Sequence, residues 1–139
     1  MNDDSRSGGC MCGNVRYEVV GEPEASSICH CVSCRKSAGA QSVAWVVFPC
    51  ENFALVSGSP VIYRSSARVG RTFCGECGTT LTYQHDGGPD SIDVAAASLD
   101  LPDAFPPTRH VWLEDKLEWV TLDDKLRRFE RGSPGDTSP

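Results

Sequence analysis

The chain has 139 residues and a mass of 15.0 kDa, which is the size of one globular domain. Nineteen acidic and thirteen basic residues give a net charge of −6 and a pI near 4.9. Nucleic acid is therefore not an expected partner, because phosphate backbones bind to basic surfaces. The longest apolar run, Val43 to Phe48, has six residues, whereas a membrane-spanning helix needs about 20. With no membrane segment and no secretion signal at the N-terminus, we expect a cytoplasmic protein without a membrane partner.

Valine outnumbers leucine by thirteen to eight, which favours a mainly β domain with little helix because β-branched side chains suit a pleated sheet. Short strand-like stretches bounded by turn residues recur along the chain. In chain order they are Val15–Val20, Val43–Phe48, Phe53–Val56, Val61–Arg64, Val69–Phe73, Thr80–Gln84, Ile92–Ala96 and His110–Leu113. One helical turn is predicted at Cys34–Gly39, Leu117–Phe129 is ambiguous, and the proline-rich stretch Asp100–Thr108 is predicted to be a surface loop.

Both ends of the chain have compositions typical of disorder. Residues 1–8 and 132–139 are polar and rich in glycine, serine or proline, and they cannot bury apolar surface. We therefore predict two disordered tails around one folded domain at residues 9–131.

The eight cysteines form three clusters and one single residue, Cys50. The clusters are Cys10-x-Cys12, Cys29-x-Cys31-x2-Cys34 and Cys74-x2-Cys77. Because cytosolic thiols are kept reduced, this pattern indicates metal binding rather than disulfides. Zinc takes four protein ligands in a structural site and three in a catalytic site. The seven clustered thiols therefore predict one closed site, formed by the two paired clusters, and one three-thiolate site.

The paired clusters have local sequences that suit a closed site. Alternate residues of an extended segment share a face, so Cys10 and Cys12 are expected to point the same way. Glycines beside Cys74 and Cys77 permit a tight turn that directs backbone N–H groups at the sulfurs. A structural zinc here would stabilise a domain with few large apolar residues.

The three-cysteine cluster has no fourth ligand beside it in the sequence. Its fourth position could be filled by Cys50, by one of His30, His85 and His110, or by a ligand from outside the chain. The cysteine spacing differs from common iron–sulfur motifs, and soft thiolates without a redox role suit zinc. His30 is interpreted as structural, and His85 and His110 are interpreted as surface or edge residues.

Three ordered motifs together resemble one known family. They are Gly9-Cys10-Met11-Cys12-Gly13, Cys29-His30-Cys31-x2-Cys34-Arg35-Lys36-x2-Gly39 and Arg71-x-Phe73-Cys74-x2-Cys77-Gly78. This set is similar to the glutathione-dependent formaldehyde-activating enzyme family, which includes centromere protein V. The resemblance covers most of residues 8–131 and implies a β-tent fold of small antiparallel sheets held by zinc.

The resemblance also implies a function for each cysteine cluster. Cys10, Cys12, Cys74 and Cys77 would hold a structural zinc, and Cys29, Cys31 and Cys34 would hold a second, catalytic zinc. The family reaction adds glutathione to formaldehyde to give S-hydroxymethylglutathione, a carbon–sulfur bond-forming step classed with the lyases. The alternative is a non-catalytic zinc-stapled module that binds a protein partner.

An acidic protein that binds an anionic thiol needs cations at the site itself. Arg35 and Lys36 follow the third cysteine of the cluster directly, and Arg71 precedes the Cys74-x2-Cys77 motif. These three residues are the candidates for binding the carboxylates of glutathione or another small thiol adduct, or for neutralising the metal site.

Overall fold

The computed structural model describes residues 5–87 and 90–133, and their secondary structure is mainly β. Its strands are β1 (Ser5–Gly9), β2 (Arg16–Val20), β3 (Ala25–Cys29), β4 (Val43–Pro49), β5 (Phe53–Ser57), β6 (Val61–Ser66), β7 (Val69–Phe73), β8 (Thr80–His85), β9 (Ser91–Ala95), β10 (Arg109–Val111) and β11 (Arg127–Arg128). One α-helix, α1 (Val32–Ala38), and short 3₁₀ turns complete the described secondary structure. The predicted mainly β class with little helix is confirmed.

The strands form two sheets. The smaller sheet is antiparallel with the order β1-β2-β5, and the larger has the order β11-β10-β3-β4-β9-β8-β7-β6. The larger sheet is mixed rather than antiparallel throughout, because β10 runs parallel to both of its neighbours, β3 and β11. All eight strand-like stretches predicted from the sequence coincide with strands, whereas β1, β3 and β11 were not predicted.

Side-chain alternation along the larger sheet produces two separate apolar cores. On β4, Val46 and Phe48 pack into a core shared with the smaller sheet, whereas Val43 and Trp45 pack on the opposite side. The first core contains Cys10 and Cys74, and the second contains Cys29, Cys31 and Cys34. The two cysteine groups therefore lie in different cores.

The prediction that residues 1–8 form a disordered tail is wrong from residue 5 onward. Residues 5–9 form β1, which pairs with β2 along its whole length. A Cβ atom on Gly8 would clash with the buried hydroxyl of Tyr17 and lie 2.8 Å from the carbonyl oxygen of Ser98, so glycine is needed for this close approach. The tail predicted at 132–139 also starts too early, since Ser133 is buried. Residues 1–4 and 134–139 lie outside the described part of the chain.

The helix begins and ends at residues with clear capping functions. The Cys31 sulfur, at the N-cap, accepts a hydrogen bond from the backbone N–H of Cys34. Gly39 ends the helix in the left-handed region at φ 61°, a conformation that glycine adopts without strain. The single turn predicted at Cys34–Gly39 is thus a seven-residue helix that starts at Val32. Within residues 5–87 and 90–133, no helix is long and apolar enough to cross a membrane.

Candidate metal centres

Two hairpins bring together the first group of cysteines. Cys10 and Cys12 follow β1, and Cys74 and Cys77 follow β7. All four sulfur atoms lie within 4.8 Å of one another. The Sγ of Cys12 lies 3.6 Å from that of Cys10 and 3.8 Å from that of Cys74. The structure therefore joins the two paired clusters into one four-sulfur site that could hold a metal ion.

Two backbone N–H groups and one hydroxyl donate hydrogen bonds to sulfurs of this site. The N–H of Val15 donates to the sulfur of Cys10 at 3.2 Å, and the N–H of Glu76 donates to that of Cys74 at 3.4 Å. The turn after Cys77 closes through Gly78, which has a φ of +82°. The hydroxyl of Thr79 donates to the Cys77 sulfur and lowers its pKa to about 5. Each of these hydrogen bonds favours the thiolate that metal binding requires.

The second group of cysteines comes from one short segment. Cys29 ends β3, Cys31 caps α1, and Cys34 lies in the first turn of that helix. Their sulfur atoms also lie within 4.8 Å of one another, and all three side chains are buried. The change from strand to helix therefore points three thiols at one position.

The three thiols share their protons unequally. Hydrogen bonds from the thiols of Cys29 and Cys34 lower the pKa of Cys31 to about 2. The same hydrogen bonding, together with burial, raises the pKa of Cys29. Metal binding requires deprotonated sulfurs, so a divalent cation held by all three would displace the protons that they carry.

A buried arginine lies against this three-sulfur group. Arg71, on β7, is 4% exposed, and its two terminal nitrogens lie 3.8 and 3.9 Å from the Cys34 sulfur. The guanidinium lies over the ring of Tyr83, 5.0 Å from its centroid, and donates to the hydroxyl of Ser65 at 3.2 Å. Arg71 therefore places a fixed positive charge beside the sulfurs.

The residues considered as a fourth ligand have other partners. Cys50 accepts a hydrogen bond from the amide of Gln84, and burial raises its pKa. His85 accepts a hydrogen bond from the N–H of Gly87. In the part of the chain that the structure describes, no further His, Cys, Asp or Glu side chain joins the three-sulfur group.

His30 and His110 form a hydrogen-bond chain with Asp124. The Nε2 of His30 lies 2.9 Å from Nδ1 of His110, whose Nε2 lies 2.9 Å from the carboxylate of Asp124. Burial lowers the pKa of His30 to about 4. The interpretation of His110 as a surface or edge residue is wrong, because it is 2% exposed and lies between β3 and β11. No sequence pattern signals these hydrogen bonds, because His30 and His110 lie 80 positions apart.

Comparisons with known proteins place the chain in one family. The model of the family described as glutathione-dependent formaldehyde-activating enzyme matches residues 5–115. The chain belongs to this family. Both cysteine groups and Arg71 lie within the matched residues of this family member, whereas Asp124 lies beyond them.

Two relatives and one solved structure extend the comparison of this family member. A Halomonas elongata protein, provisionally named a glutathione-dependent formaldehyde-activating enzyme, is 29% identical over 85% of this chain and 81% of its own length. A Schizosaccharomyces pombe protein named as an uncharacterized lyase is 32% identical over 88% of each chain. A Rhodobacter sphaeroides crystal structure is similar with a TM-score of 0.57 at 21% identity, covering 88% of this chain and 98% of that chain. This last likeness concerns the fold alone.

The two remaining candidate cations of this family member lie on α1. Arg35 is half-buried, and its Nε donates to the carbonyl oxygen of His30 at 3.4 Å. Lys36 is exposed to solvent. Arg71 thus contacts the Cys34 sulfur, whereas Arg35 contacts the backbone of His30 and Lys36 is open to solvent.

Proposed function

We propose that the chain is a zinc-dependent enzyme of the carbon–sulfur lyase type, which adds glutathione to formaldehyde to form S-hydroxymethylglutathione. The observation that carries the proposal is the buried three-sulfur group, which has no fourth protein ligand among the described residues. Three protein ligands and one exchangeable position are typical of a catalytic zinc site. The family match and the provisional name of the Halomonas elongata relative support the choice of substrates.

The donor atoms of both cysteine groups fit zinc. Thiolate sulfur is a soft ligand that selects zinc among metals with no redox role. Cys10, Cys12, Cys74 and Cys77 would hold a structural ion, whereas Cys29, Cys31 and Cys34 would hold a second ion. That second zinc would supply a position where the sulfur of glutathione is held as a thiolate.

Charge determines which substrate the three-sulfur group suits. Three thiolates and one Zn²⁺ carry a net charge of −1, and the sulfur of glutathione brings it to −2. Such a site is a weak Lewis acid, and it therefore suits thiolate binding better than water activation. Arg71 offsets part of this charge, since its guanidinium is fixed against Cys34.

The reaction itself makes one bond and moves one proton. The electron pair of the glutathione sulfur forms a bond to the carbonyl carbon of formaldehyde, and the carbonyl π pair moves to the oxygen. That oxygen takes up a proton, which balances the proton lost from the thiol. Burial of the three cysteines keeps water away from their own sulfurs.

Arg35 and Lys36 are proposed to bind the carboxylates of glutathione. They lie on the helix that carries Cys34, so a substrate whose sulfur reaches the cluster extends over the same helix. An arginine binds a carboxylate through two parallel hydrogen bonds. We also propose a cytoplasmic location, because all eight cysteines are free thiols and that compartment keeps them reduced.

The proposal is tested by measuring the exchange of ¹³C-formaldehyde into its glutathione adduct by NMR. At equilibrium, the exchange rate should rise in proportion to the concentration of zinc-loaded protein. The physical reason is that a thiolate held beside the aldehyde reacts without the entropy cost of a bimolecular encounter. An exchange rate equal to that in buffer alone would contradict the enzyme hypothesis and favour the protein-binding module.

A further inference from the structure

A hydrogen-bond chain runs from the protein surface to the loop that carries the three cysteines. It starts at Asp124, whose side chain is 40% exposed, and passes through His110 to His30, which are 2% and 1% exposed. Both hydrogen bonds have lengths of 2.9 Å. Because His30 lies between Cys29 and Cys31, the chain ends between two of the candidate ligands.

The carboxylate at the surface determines which ring nitrogens carry hydrogen. A carboxylate only accepts hydrogen bonds, so Nε2 of His110 donates to Asp124. In the neutral ring of His110, Nδ1 then accepts. His30 must then donate through its Nε2. The Nδ1 of His30 is buried and has no hydrogen-bond partner among the described residues. Among the described residues, the hydrogen bond to His110 is therefore the one that orients the ring of His30.

The backbone around His30 is fixed by neighbouring elements. Its N–H donates to the carbonyl of Val111 on β10 at 3.1 Å, and its carbonyl accepts from Arg35. Asp124 is itself held, because its second carboxylate oxygen accepts from the N–H of Leu126 at 3.1 Å. The hydrogen-bonded side chains thus connect the cysteine loop to Asp124, in the segment between β10 and β11.

We propose that Asp124 is a positioning residue that acts through His110 and His30 to set the relative positions of Cys29 and Cys31 for metal binding. The inference rests on the proposed function, which places a metal ion on this cysteine group. The family match ends at residue 115. Asp124 therefore lies outside the matched residues, and the proposal adds it to the site. Replacing a residue that hydrogen-bonds a metal ligand commonly changes metal affinity by about 10–100-fold. Asp124 lies further from the ligands, so the lower end of this range is expected.

The test compares Asp124→Ala with its matched control Asp123→Ala in the full chain. Asp123 is adjacent, exposed and of equal charge, so both variants lose one carboxylate. Competition with a chromophoric chelator should show about 10-fold weaker binding of the more weakly held zinc in Asp124→Ala alone. The other zinc should keep its affinity within about 2-fold, because the four-cysteine site lies in another core. Asp124→Asn should restore most of the affinity, since its amide oxygen accepts the same hydrogen bond.

A second measurement does not depend on the metal. Nitrogen-15 NMR of the histidine rings should show His30 and His110 each protonated at Nε2 in the wild type. In Asp124→Ala, His110 should populate both tautomers, and the amide shifts of Cys29 and Cys31 should change. Unchanged zinc affinity in Asp124→Ala, or equal weakening of both zinc ions, would overturn the positioning role.

The two measurements also distinguish failure of this inference from failure of the proposed function. A wild-type chain that binds one zinc ion would contradict the proposed function. In that case the NMR result alone decides the inference. Shift changes confined to the loop of Cys29 and Cys31 would support the positioning role, and their absence would overturn it.

Discussion

Replacing Cys77 with serine should abolish cooperative unfolding of the domain. Cys77 completes a four-sulfur group that joins the loop after β1 to the loop after β7. Zinc bound by such sites contributes about 10–16 kcal/mol in small peptides, whereas whole domains have stabilities of about 5–15 kcal/mol. Loss of most of this contribution would therefore be comparable to the whole stability of the domain. Thermal unfolding followed by circular dichroism, together with zinc content, measures the effect.

Cys50→Ser is the matched control for this experiment. Cys50 is half-buried, and its sulfur contacts the amide of Gln84 rather than another cysteine. A serine hydroxyl can accept the same hydrogen bond, so melting temperature and zinc content should stay unchanged. If Cys77→Ser also melted like the wild type with full zinc content, the structural assignment would be wrong.

Replacing Cys34 with serine should remove the catalysed exchange of formaldehyde while the chain stays folded. Cys34 supplies one of only three sulfurs in its group and contacts Arg71. Changes to residues that merely support a metal ligand cost about 10–100-fold in metal affinity or activity, so loss of a ligand should cost at least about 100-fold. The NMR exchange rate, with zinc stoichiometry measured on the same sample, tests this.

Ser33→Ala provides the control for Cys34→Ser. Ser33 is exposed on the same helix and is not a metal-binding candidate. Its replacement should leave exchange rate and zinc content unchanged. Wild-type exchange rates in Cys34→Ser would show that the three-cysteine group takes no part in the reaction.

Much of the candidate site could be predicted because its signals are local. Alternate residues in a strand share a face, which predicts convergent sulfurs for Cys10 and Cys12. The sulfurs do converge, but in the turn after β1, where the N–H of Gly13 donates to the carbonyl of Cys10, and not along an extended segment. The spacing between Cys74 and Cys77 fits a tight turn, and Gly78 adopts the expected positive φ. The turn beside Gly78 is thus a local signal that the sequence shows, whereas the turn that holds Cys10 and Cys12 is not. The structure brings both pairs into one four-sulfur group.

Strands without an apolar pattern could not be predicted. β3 lies between β4 and β10, and its buried residues include Ser26 and Ser27. Ser26 donates its hydroxyl hydrogen to the carbonyl of Phe105, 79 positions away. A polar strand can be buried when distant residues satisfy its hydrogen bonds. Such partners cannot be recognised from the pattern of apolar and polar residues within the strand.

The surroundings of Arg71 and His110 could not be predicted from the sequence either. Arg71 was a candidate from its position beside a motif, but its burial against Cys34 depends on the pairing of β7 with β8. The contact of His110 with His30 depends on the parallel pairing of β10 with β3. Pairing between distant strands is a property of the fold, so sequence spacing does not determine it.

The claim that glutathione binds the second metal through its sulfur can be tested with cobalt spectroscopy. A chelator should remove zinc first from the three-cysteine group, because that group has fewer protein ligands. Cobalt is then added to this site, and the absorption spectrum is recorded with glutathione and with S-methylglutathione. We predict that glutathione adds sulfur-to-cobalt charge-transfer intensity and that S-methylglutathione adds none. Equal spectra with both compounds would contradict sulfur binding at the three-cysteine group.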